Sequence, residues 1–354
     1  MTTTILSFLF VLGICIFVHE LGHFVLAKWV GIRVEKFSLG FPPKMVGKKI
    51  GDTEYMISWI PLGGYVKMAG DSLEEEKTAW EPYEFMAKSV SHRALVIFAG
   101  PLMNFILAAL IFWGIFLFVG QQIVHDDITE IGYVEEGGPA QDAGIQVGDV
   151  ILSINGTKVD DFRGMAKIIH EQVEKPILVE WKRGEQLLRA TIVTRKDEVT
   201  NRQGETLTVG KIGIGATYSI VRLNVFQAFR EGVGTAVFIL LEVIKFLFAL
   251  VTGAASLKMI GGPVFIAQTA GETARMGIVS LFSFIALVSV NLALVNILPI
   301  PVLDGGHLLF LVIEKAQGKP LTIKQRSALQ QIGFAFLLLV IILITYNDFA
   351  RLIG

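Results

Sequence analysis

Charged residues are scarce in this sequence. Asp, Glu, Lys and Arg make up 18% of its 354 residues, against about 25% in an average soluble domain. Hydrophobic residues make up 53%, and the mean hydropathy is +0.60. A net charge of −1 gives no electrostatic basis for binding nucleic acid. The composition argues against a soluble protein and predicts an integral membrane protein in contact with the lipid bilayer.

Cysteine is nearly absent as well. Cys15 is alone in the chain, so it forms no intrachain disulfide and does not indicate a redox compartment. The first apolar run also has no basic residue before it and no small-residue cleavage pattern after it. These absences argue against a cleaved signal peptide and favour a retained membrane anchor.

Four apolar runs have the roughly 20 residues that a helix needs to cross a bilayer. They lie at about 4–27, 94–119, 278–298 and 328–346. A fifth run, 236–253, contains Glu242 and Lys245, which suit a helix on the membrane surface better than one surrounded by lipid. The sequence therefore predicts a polytopic α-helical membrane protein with four transmembrane helices.

Polar and charged residues return between the second and third runs. This change predicts one inserted domain at 121–217, between an N-terminal membrane half at 1–120 and a C-terminal half at 218–354. The acidic patch SLEEEK at 72–77 is predicted to be a solvated loop.

Loop charge predicts the orientation. The segment 28–93 carries ten Lys and Arg residues, whereas the N-terminal MTTT carries none. Because short basic loops stay in the cytoplasm, we expect a multi-pass plasma (inner) membrane protein. Both termini and the inserted domain would lie outside the cytoplasm.

The first run ends in the motif HELGH. On an α-helix, residues four apart share a face, so His19 and His23 can bind one metal while Glu20 reaches a water molecule there. This is the arrangement of zinc hydrolases, in which the glutamate is the general base. Ionisable residues at membrane depth are costly, which favours catalysis over a chance occurrence of the motif.

A catalytic zinc needs a third protein ligand and an open fourth position. Asp304 lies in NILPIPVLDGGH (296–307), where Pro299 and Pro301 cannot continue a helix. A broken helix at membrane depth is tolerated where it lines a cavity, which makes Asp304 a better candidate than Glu242. A plain helix-ending turn is the alternative. The remaining histidines are less well placed: His92, His125, His170 and His307.

Together with GPLMN at 100–104, these motifs resemble the site-2 protease family of intramembrane zinc metalloproteases, in its bacterial regulator of sigma-E protease type. The resemblance covers essentially the whole chain. It implies one Zn²⁺ per chain, bound by His19, His23 and Asp304, with Glu20 as the catalytic residue.

The resemblance also implies regulated intramembrane proteolysis of single-pass membrane proteins, such as anti-sigma factors or signal-peptide remnants. The alternative is a membrane scaffold or a metal transporter with a peptide-binding domain. A structural zinc would close its fourth position with a protein ligand, so three ligands and a general base favour the enzyme.

The stretch IGYVEEGGPAQDAGIQVGDVILSINGTKV (131–159) resembles bacterial PDZ domains in their permuted form. The strand pattern VILSI and the hairpin signal Asn155-Gly156 agree with a PDZ-like α+β domain. This domain either binds a peptide C-terminus by strand addition or obstructs bulky ectodomains. The best-known enterobacterial relatives carry two tandem PDZ domains, whereas this chain has room for one.

The segment 35–70 alternates like strands around glycine-rich turns, which predicts a membrane-associated β-hairpin region. In the family this region dips into the bilayer near the metal. An exposed edge would hold substrate in extended form, so Gly63 and Gly64 are candidate substrate-binding residues; a hairpin without substrate contact is the alternative. Asn296 would bind unwound substrate backbone or cap its own helix.

Overall fold

The computed structural model describes residues 2–71, 79–200 and 206–353, and the chain divides into two compact units. The first unit comprises Met1–Phe118, Val225–Phe248 and Leu257–Gly354, and the second comprises Val119–Asn224 and Ala249–Ser256. The SLEEEK patch at 72–77 lies outside the described residues.

The described secondary structure alternates long helices with a β-rich insertion. The helices are α1 (Thr2–Trp29), α2 (Val90–Phe118), α3 (Pro139–Asp142), α4 (Phe162–His170), α5 (Val225–Val251), α6 (Pro263–Met276), α7 (Ile278–Ile297), α8 (Asp304–Gln317) and α9 (Ile323–Ile353). The strands are β1 (Val34–Ile50), β2 (Thr53–Met68), β3 (Gln121–Val124), β4 (Ile131–Val134), β5 (Val150–Ile154), β6 (Thr157–Lys158), β7 (Pro176–Arg183), β8 (Gln186–Val193), β9 (Arg195–Thr200), β10 (Thr206–Lys211), β11 (Ile214–Ala216) and β12 (Tyr218–Val221).

Among the described helices, α1, α2, α5, α7 and α9 are long and apolar enough to cross a membrane. An α-helix suits that environment because it satisfies its backbone hydrogen bonds internally. Four of these helices coincide with the four predicted runs. Helix α5 contains the predicted surface helix, with Lys245 and Glu242 paired at 2.7 Å. By length and composition α5 is also able to cross a membrane, so the number of transmembrane helices stays a prediction.

Small residues bring α1 and α2 into close contact. A Cβ atom on Gly22 would lie 2.3 Å from the Ala99 carbonyl oxygen, which leaves no space for any side chain other than hydrogen. Glycine and alanine allow such close approach of helix backbones in membranes, where packing replaces the hydrophobic effect as the driving force. This contact places the second half of α1 against the first half of α2.

The predicted β-hairpin region is confirmed, and it is more folded than a simple hairpin. Lys36 of β1 pairs with Glu54 on one side and with Lys67 on the other, so β2 folds back around the start of β1. The order across the sheet is 44–50, 53–58, 34–41 and 64–68. The segment 64–68 is therefore an edge strand. It packs beside α1, where Gly64 lies next to Ile16 and Glu20.

The second unit has a core of its own. The strand order β6-β5-β7-β8 forms its main sheet, with the short pairs β4–β11, β9–β10 and β3–β12 alongside. Ile151, Met165 and Trp181 are among its buried residues. The predicted hairpin is confirmed, since Ile154 pairs with Thr157 across Asn155-Gly156. Both turn residues have positive φ, as a two-residue turn of this kind requires.

Pairing of β3 with β12 carries this unit past the predicted domain end at residue 217, because Tyr218 pairs with Val124. An ion pair between the buried Asp149 and the partly exposed Arg183 supports the turn before β5. Burial alone would raise the pKa of Asp149, but the Arg183 guanidinium, 2.8 Å away, holds it below its usual value. The architecture agrees with the predicted α+β domain.

The packing predicts a position-specific effect of adding one methyl group to α1. Gly22→Ala should lower the stability by about 1–3 kcal/mol, because the methyl group would overlap Ala99 and force the helices apart. Thermal unfolding of the detergent-solubilised protein measures this. Gly13→Ala is the matched control, since nothing lies within 4 Å of its added Cβ. Equal melting temperatures for the two variants would contradict the close packing.

Candidate metal centre and active site

Helix α1 places two histidine side chains together. His19 and His23 are four residues apart on one face, and their Nε2 atoms lie 3.2 Å from each other. His23 is buried at 8% exposure. Two imidazole nitrogens facing each other this closely can serve one metal ion.

A break between α7 and α8 brings in a carboxylate. Helix α7 ends at Ile297, and α8 begins at Asp304. The turn is tight: a Cβ on Gly305 would lie 2.1 Å from the Ile297 carbonyl oxygen, and one on Gly306 would lie 2.3 Å from that of Ile300. Both glycines are needed for the chain to fold back closely enough to aim Asp304 at α1.

Three ligand atoms form a small triangle. Asp304 Oδ2 lies 3.1 Å from His19 Nε2 and 3.5 Å from His23 Nε2, and the two Nε2 atoms are 3.2 Å apart. Ligands at zinc distances of 2.0–2.2 Å in a tetrahedron lie about 3.3–3.5 Å from each other. The triangle therefore has the size of one face of a tetrahedral zinc site, with the fourth corner left for water or substrate.

Helix α2 holds both imidazoles from behind. His23 Nδ1 lies 2.9 Å from the Val96 carbonyl oxygen, and His19 Nδ1 lies 3.4 Å from Asn104 Nδ2. Turning the Asn104 amide by 180° exchanges Nδ2 with Oδ1, which has no partner among the described residues and can then accept from His19 Nδ1–H. Between them, Gly100 leaves room for the rings, since its Cβ would lie 2.4 Å from His23 Nε2. Residues 96, 100 and 104 share one face of α2, and this face matches the spacing of the two histidines.

These contacts determine which nitrogen carries a proton. A carbonyl oxygen only accepts hydrogen bonds, so His23 Nδ1 donates to Val96 and its Nε2 presents a lone pair. Asp304 Oδ2 is buried and has no hydrogen-bond donor among the described residues. Lone pairs that face each other at this distance repel unless a cation lies between them, so the residues fit a metal ion.

Glu20 faces a cavity of about 740 Å³ beside the three ligands. Its carboxylate accepts a hydrogen bond from the backbone N–H of Val66 in the edge strand. Residues from six parts of the first unit line this cavity: His19, Glu20, His23, Tyr65, Val66, Lys67, Met68, Asp71, Phe85, Met86, Ile97, Asp304, His307, Phe310, Arg326 and Gln330. Glu20, the three candidate metal ligands and the edge strand therefore share one cavity.

A second carboxylate, that of Asp71, lies three residues after the end of the same edge strand. Asp71 Oδ2 accepts a hydrogen bond from the Met68 backbone N–H at 3.0 Å. Burial raises the pKa of Asp71 to about 6. Residues 66 and 68 are two apart in a strand, so their N–H groups point to the same side, away from β1. Glu20 and Asp71 thus accept from two backbone donors on the edge that faces away from β1, and an added substrate strand would replace them there.

The structure brings together most of the residues singled out from the sequence. A Cβ atom added to Gly64 would lie 3.1 Å from Glu20 Cγ, so Gly64 packs on Glu20. Gly63 packs on the Phe41 ring instead. Asn296 lies half-buried in the last turn of α7 and is not among the described residues that line the cavity. Its role as a substrate contact stays a prediction.

His307 and Arg326 both line the cavity. From the sequence, His307 is a less well placed ligand candidate than Asp304, and Arg326 is only one of several loop charges. Asn104 stands out in the sequence only as part of the GPLMN motif. The spacing of Gly100 and Asn104, four residues apart in an apolar helix, was a signal that one face of α2 meets the HELGH face. No comparable signal marked Arg326, because its position depends on the packing of α9.

The family of this chain follows from comparison with known proteins. A model of the peptidase family M50 matches residues 7–340, which include all three ligand positions and Glu20. The chain belongs to peptidase family M50, the site-2 protease family. It is therefore a metalloprotease, and the alternative of a scaffold or transporter without enzymatic activity is not supported.

Two curated relatives extend this M50 assignment. The regulator of sigma-W protease RasP of Bacillus subtilis is 32% identical, with 99% of this chain and 99% of the relative covered. The zinc metalloprotease RasP of Geobacillus kaustophilus is 30% identical, with 98% of each covered. The names of these M50 relatives imply zinc as the metal.

Solved PDZ domains are similar to part of this M50 chain. The PDZ domain of the SdrC-like protein from Listeria monocytogenes is 22% identical and covers 27% of this chain, with a TM-score of 0.21. At that score the likeness carries no weight for function. The PDZ-like assignment rests on the sequence pattern and on the strands and helices of the second unit.

The contact between Asn104 and His19 predicts an effect on metal affinity. Asn104→Leu keeps a similar branched shape but removes the amide oxygen that can be turned to accept from His19 Nδ1–H, and we expect zinc affinity about 10–100-fold weaker. Asn104→Asp keeps an acceptor oxygen and should retain most of the affinity. Competition with a chromophoric chelator measures both variants. Equal affinities in the two variants would mean that Asn104 contributes packing alone.

Proposed function

We propose that this chain is an intramembrane zinc endopeptidase that cuts single-pass membrane proteins within or near their transmembrane segment. The observation that carries the proposal is the triangle of His19, His23 and Asp304 beside Glu20 in one cavity of a helical membrane unit. One zinc ion per chain, held by the trio, would leave the fourth position open for chemistry.

Each residue has a defined part in the proposed reaction. At the trio, zinc would polarise the scissile carbonyl and lower the pKa of water to about 7. Glu20 takes a proton from the attacking water and passes it to the leaving amine. Val96 holds His23 in the tautomer that presents Nε2, and the Asn104 amide oxygen, turned towards His19 Nδ1–H, would do the same for His19. Asp304 begins α8, whose N-terminal dipole favours the ionised carboxylate.

The edge strand is the proposed place for the substrate. A peptide bond inside a helix is hydrogen-bonded within that helix, so the substrate must unwind before it is cut. Among the described strands, 64–68 pairs only with the start of β1, which leaves its other edge towards the cavity. A substrate strand added there would lie beside Glu20, and Gly64 leaves space for it.

The two ends of α5 support four spans. Trp113 Nε1 of α2 donates to the Val225 carbonyl at the start of α5. After α5 ends at Val251, Leu257 accepts a hydrogen bond from Asn347 near the end of α9. Six residues reach at most about 20 Å, less than the roughly 30 Å hydrocarbon thickness.

Both anchor points of α5 lie towards one face. Helix α6 packs on Thr4 at the start of α1 through Gly271. Asp348 accepts from the backbone N–H groups that begin α6. The start of α1 and the ends of α2 and α9 therefore belong to that face. A helix that starts and ends near one face does not cross, which favours α5 on the outer membrane surface.

Replacing a proposed metal ligand and replacing the proposed general base should have different effects. Replacing His19, His23 or Asp304 with Ala should remove both zinc and proteolysis, because each change deletes a ligand. Glu20→Gln should abolish proteolysis and keep zinc, since Glu20 acts on the water and not on the ion. Elemental analysis of the purified protein measures zinc, and release of a fragment from a co-expressed, tagged single-pass protein measures activity.

Glu242→Gln is the matched control, because Glu242 lies on α5, paired with Lys245, and does not line the cavity. It should keep both zinc and activity. Full zinc retention in Asp304→Ala would remove Asp304 from the proposed site. Wild-type turnover in Glu20→Gln would refute the peptidase mechanism but would not contradict the proposed metal site.

The proposed topology predicts the labelling of introduced cysteines in intact cells. Ala254→Cys, after α5, should react with a membrane-impermeant maleimide from outside. Lys319→Cys, between α8 and α9, should react only after permeabilisation. The chain around that connection carries Lys315, Lys319, Lys324 and Arg326, and short basic loops stay in the cytoplasm. Native Cys15 is buried and provides the unreactive background. Ala254→Cys labelled only after permeabilisation would show that α5 crosses the membrane.

A further inference from the structure

A buried charge cluster lies at the base of the active-site cavity. It joins Arg93 at the start of α2, Glu314 near the end of α8 and Arg326 in the first turns of α9. Arg93 donates to both carboxylate oxygens of Glu314, from Nη1 at 3.1 Å and from Nη2 at 2.5 Å. Both residues are buried, at 3% and 9% exposure. This bidentate pair by itself neutralises Glu314.

Arg326 is the third member, and its contacts are weaker. Its Nη2 lies 3.9 Å from Glu314 Oε2, beyond hydrogen-bond distance, and its Nη1 lies 3.9 Å from the Met86 sulfur. Its Nε is buried and has no hydrogen-bond partner among the described residues. Two arginines and one glutamate leave one positive charge in excess, and Arg326 carries it.

This excess charge faces the catalytic cavity. Among the described residues that line the cavity, Lys67 and Arg326 are the side chains of constant positive charge. Lys67 pairs with Glu35 at 2.9 Å. Arg326 is therefore the lining cation without a carboxylate at hydrogen-bond distance. A shielded charge of this kind is costly unless a partner of opposite charge arrives.

The packing of α9 directs Arg326 to the cytoplasmic side of the ligand trio. Gly333 contacts Pro301, three residues before Asp304. Arg326 lies two helical turns earlier, on the same face of α9 as Gln330, which also lines the cavity. Towards that end of the unit lie Glu314 and Met86, on the side predicted to be cytoplasmic.

The direction of the edge strand indicates which fragment meets Arg326. The strand runs from Gly64, beside Glu20 and Ile16, to Met68, which clusters with Ala27 and Ile32 further along α1. All described strand pairs of this protein are antiparallel. A substrate added antiparallel would enter from the cytoplasmic side with its N-terminal part.

Hydrolysis of a peptide bond adds the OH of water to the carbonyl carbon and a proton to the nitrogen. The N-terminal fragment then carries a new carboxylate, which is ionised at neutral pH. That carboxylate forms next to Glu20 and Asp304, which are both anionic when they act as base and ligand. On its way to the cytoplasm, the fragment passes the wall that contains Arg326.

We propose that Arg326 is a carboxylate-binding residue of the cavity and receives the new C-terminal carboxylate of the N-terminal cleavage product. The chemical class of its ligand is a peptide C-terminal carboxylate, bound through the planar fork of donors that a guanidinium offers. This inference rests on the proposed peptidase function. Its test measures binding without turnover, so the two can fail separately.

The experiment uses the full-length, zinc-loaded chain with Glu20→Gln, which cannot cut the probe. The probe is a fluorescein-labelled octapeptide of alternating leucine and alanine, made with either a free C-terminal carboxylate or a carboxamide. Fluorescence anisotropy gives the two dissociation constants. We expect the carboxylate form to bind about tenfold more tightly, as for a charge-assisted hydrogen bond.

Adding Arg326→Gln should remove most of this preference and leave only the part that zinc contributes. Arg326→Lys keeps the charge but loses Nε and the fork, so it should retain an intermediate preference and serves if the glutamine variant does not fold. Lys324→Gln is the matched control, since it removes an exposed charge from the same turn of α9. It should keep the full tenfold preference.

A purely structural role predicts a different pattern. Arg326→Gln would then lower the melting temperature as Arg93→Gln does, and the carboxylate preference would be unchanged. That result would overturn the proposal, as would equal loss of the preference in Lys324→Gln, which would indicate general electrostatic attraction. A Glu20→Gln chain that still cuts its substrate would refute the peptidase mechanism while leaving the carboxylate preference of Arg326 measurable.

Discussion

The close approach of α1 to α2 is the contact on which the active site depends. Gly22 lies against the Ala99 carbonyl, and one residue further along each helix His23 lies against Gly100. A bilayer supplies no hydrophobic force to press helices together, so the contact requires small residues and satisfied polar groups. Once it forms, Val96 and Asn104 are in place to orient both imidazoles.

The position of Asp304, the third candidate ligand, also depends on close packing. Here an irregular backbone between α7 and α8 makes the close packing possible. The backbone between α7 and α8 leaves helical hydrogen bonding, and turns such as Leu303 N–H to Ile300 O take its place. Gly305 and Gly306 allow the first turn of α8 to fold against the end of α7. Helix α9 then covers the turn through Gly333 and Pro301, which shields the break from lipid.

Charge in the first unit is concentrated where these elements meet. The trio and Glu20 place anionic and lone-pair groups on one wall of the cavity, and Arg326 places a cation on another. The pair Arg93 and Glu314 ties α2 to α8 at the same end. In a cavity at membrane depth, each of these charges interacts more strongly with its neighbours, because water screens it less than at a surface. The polar residues of this unit are thus few and grouped around one reaction space.

The sequence by itself determined the elements whose signal is local: the apolar runs, the HELGH spacing, the proline–glycine break before Asp304, and the Asn155-Gly156 hairpin. Periodicity and turn chemistry act over a few residues, so they can be read directly. Only the tertiary structure decided that Asn104 meets His19, that 64–68 is a free edge beside Glu20, and that Arg326 enters the cavity. These placements depend on helix packing between residues as distant as 93 and 314, and side-chain packing of that kind has no local sequence pattern.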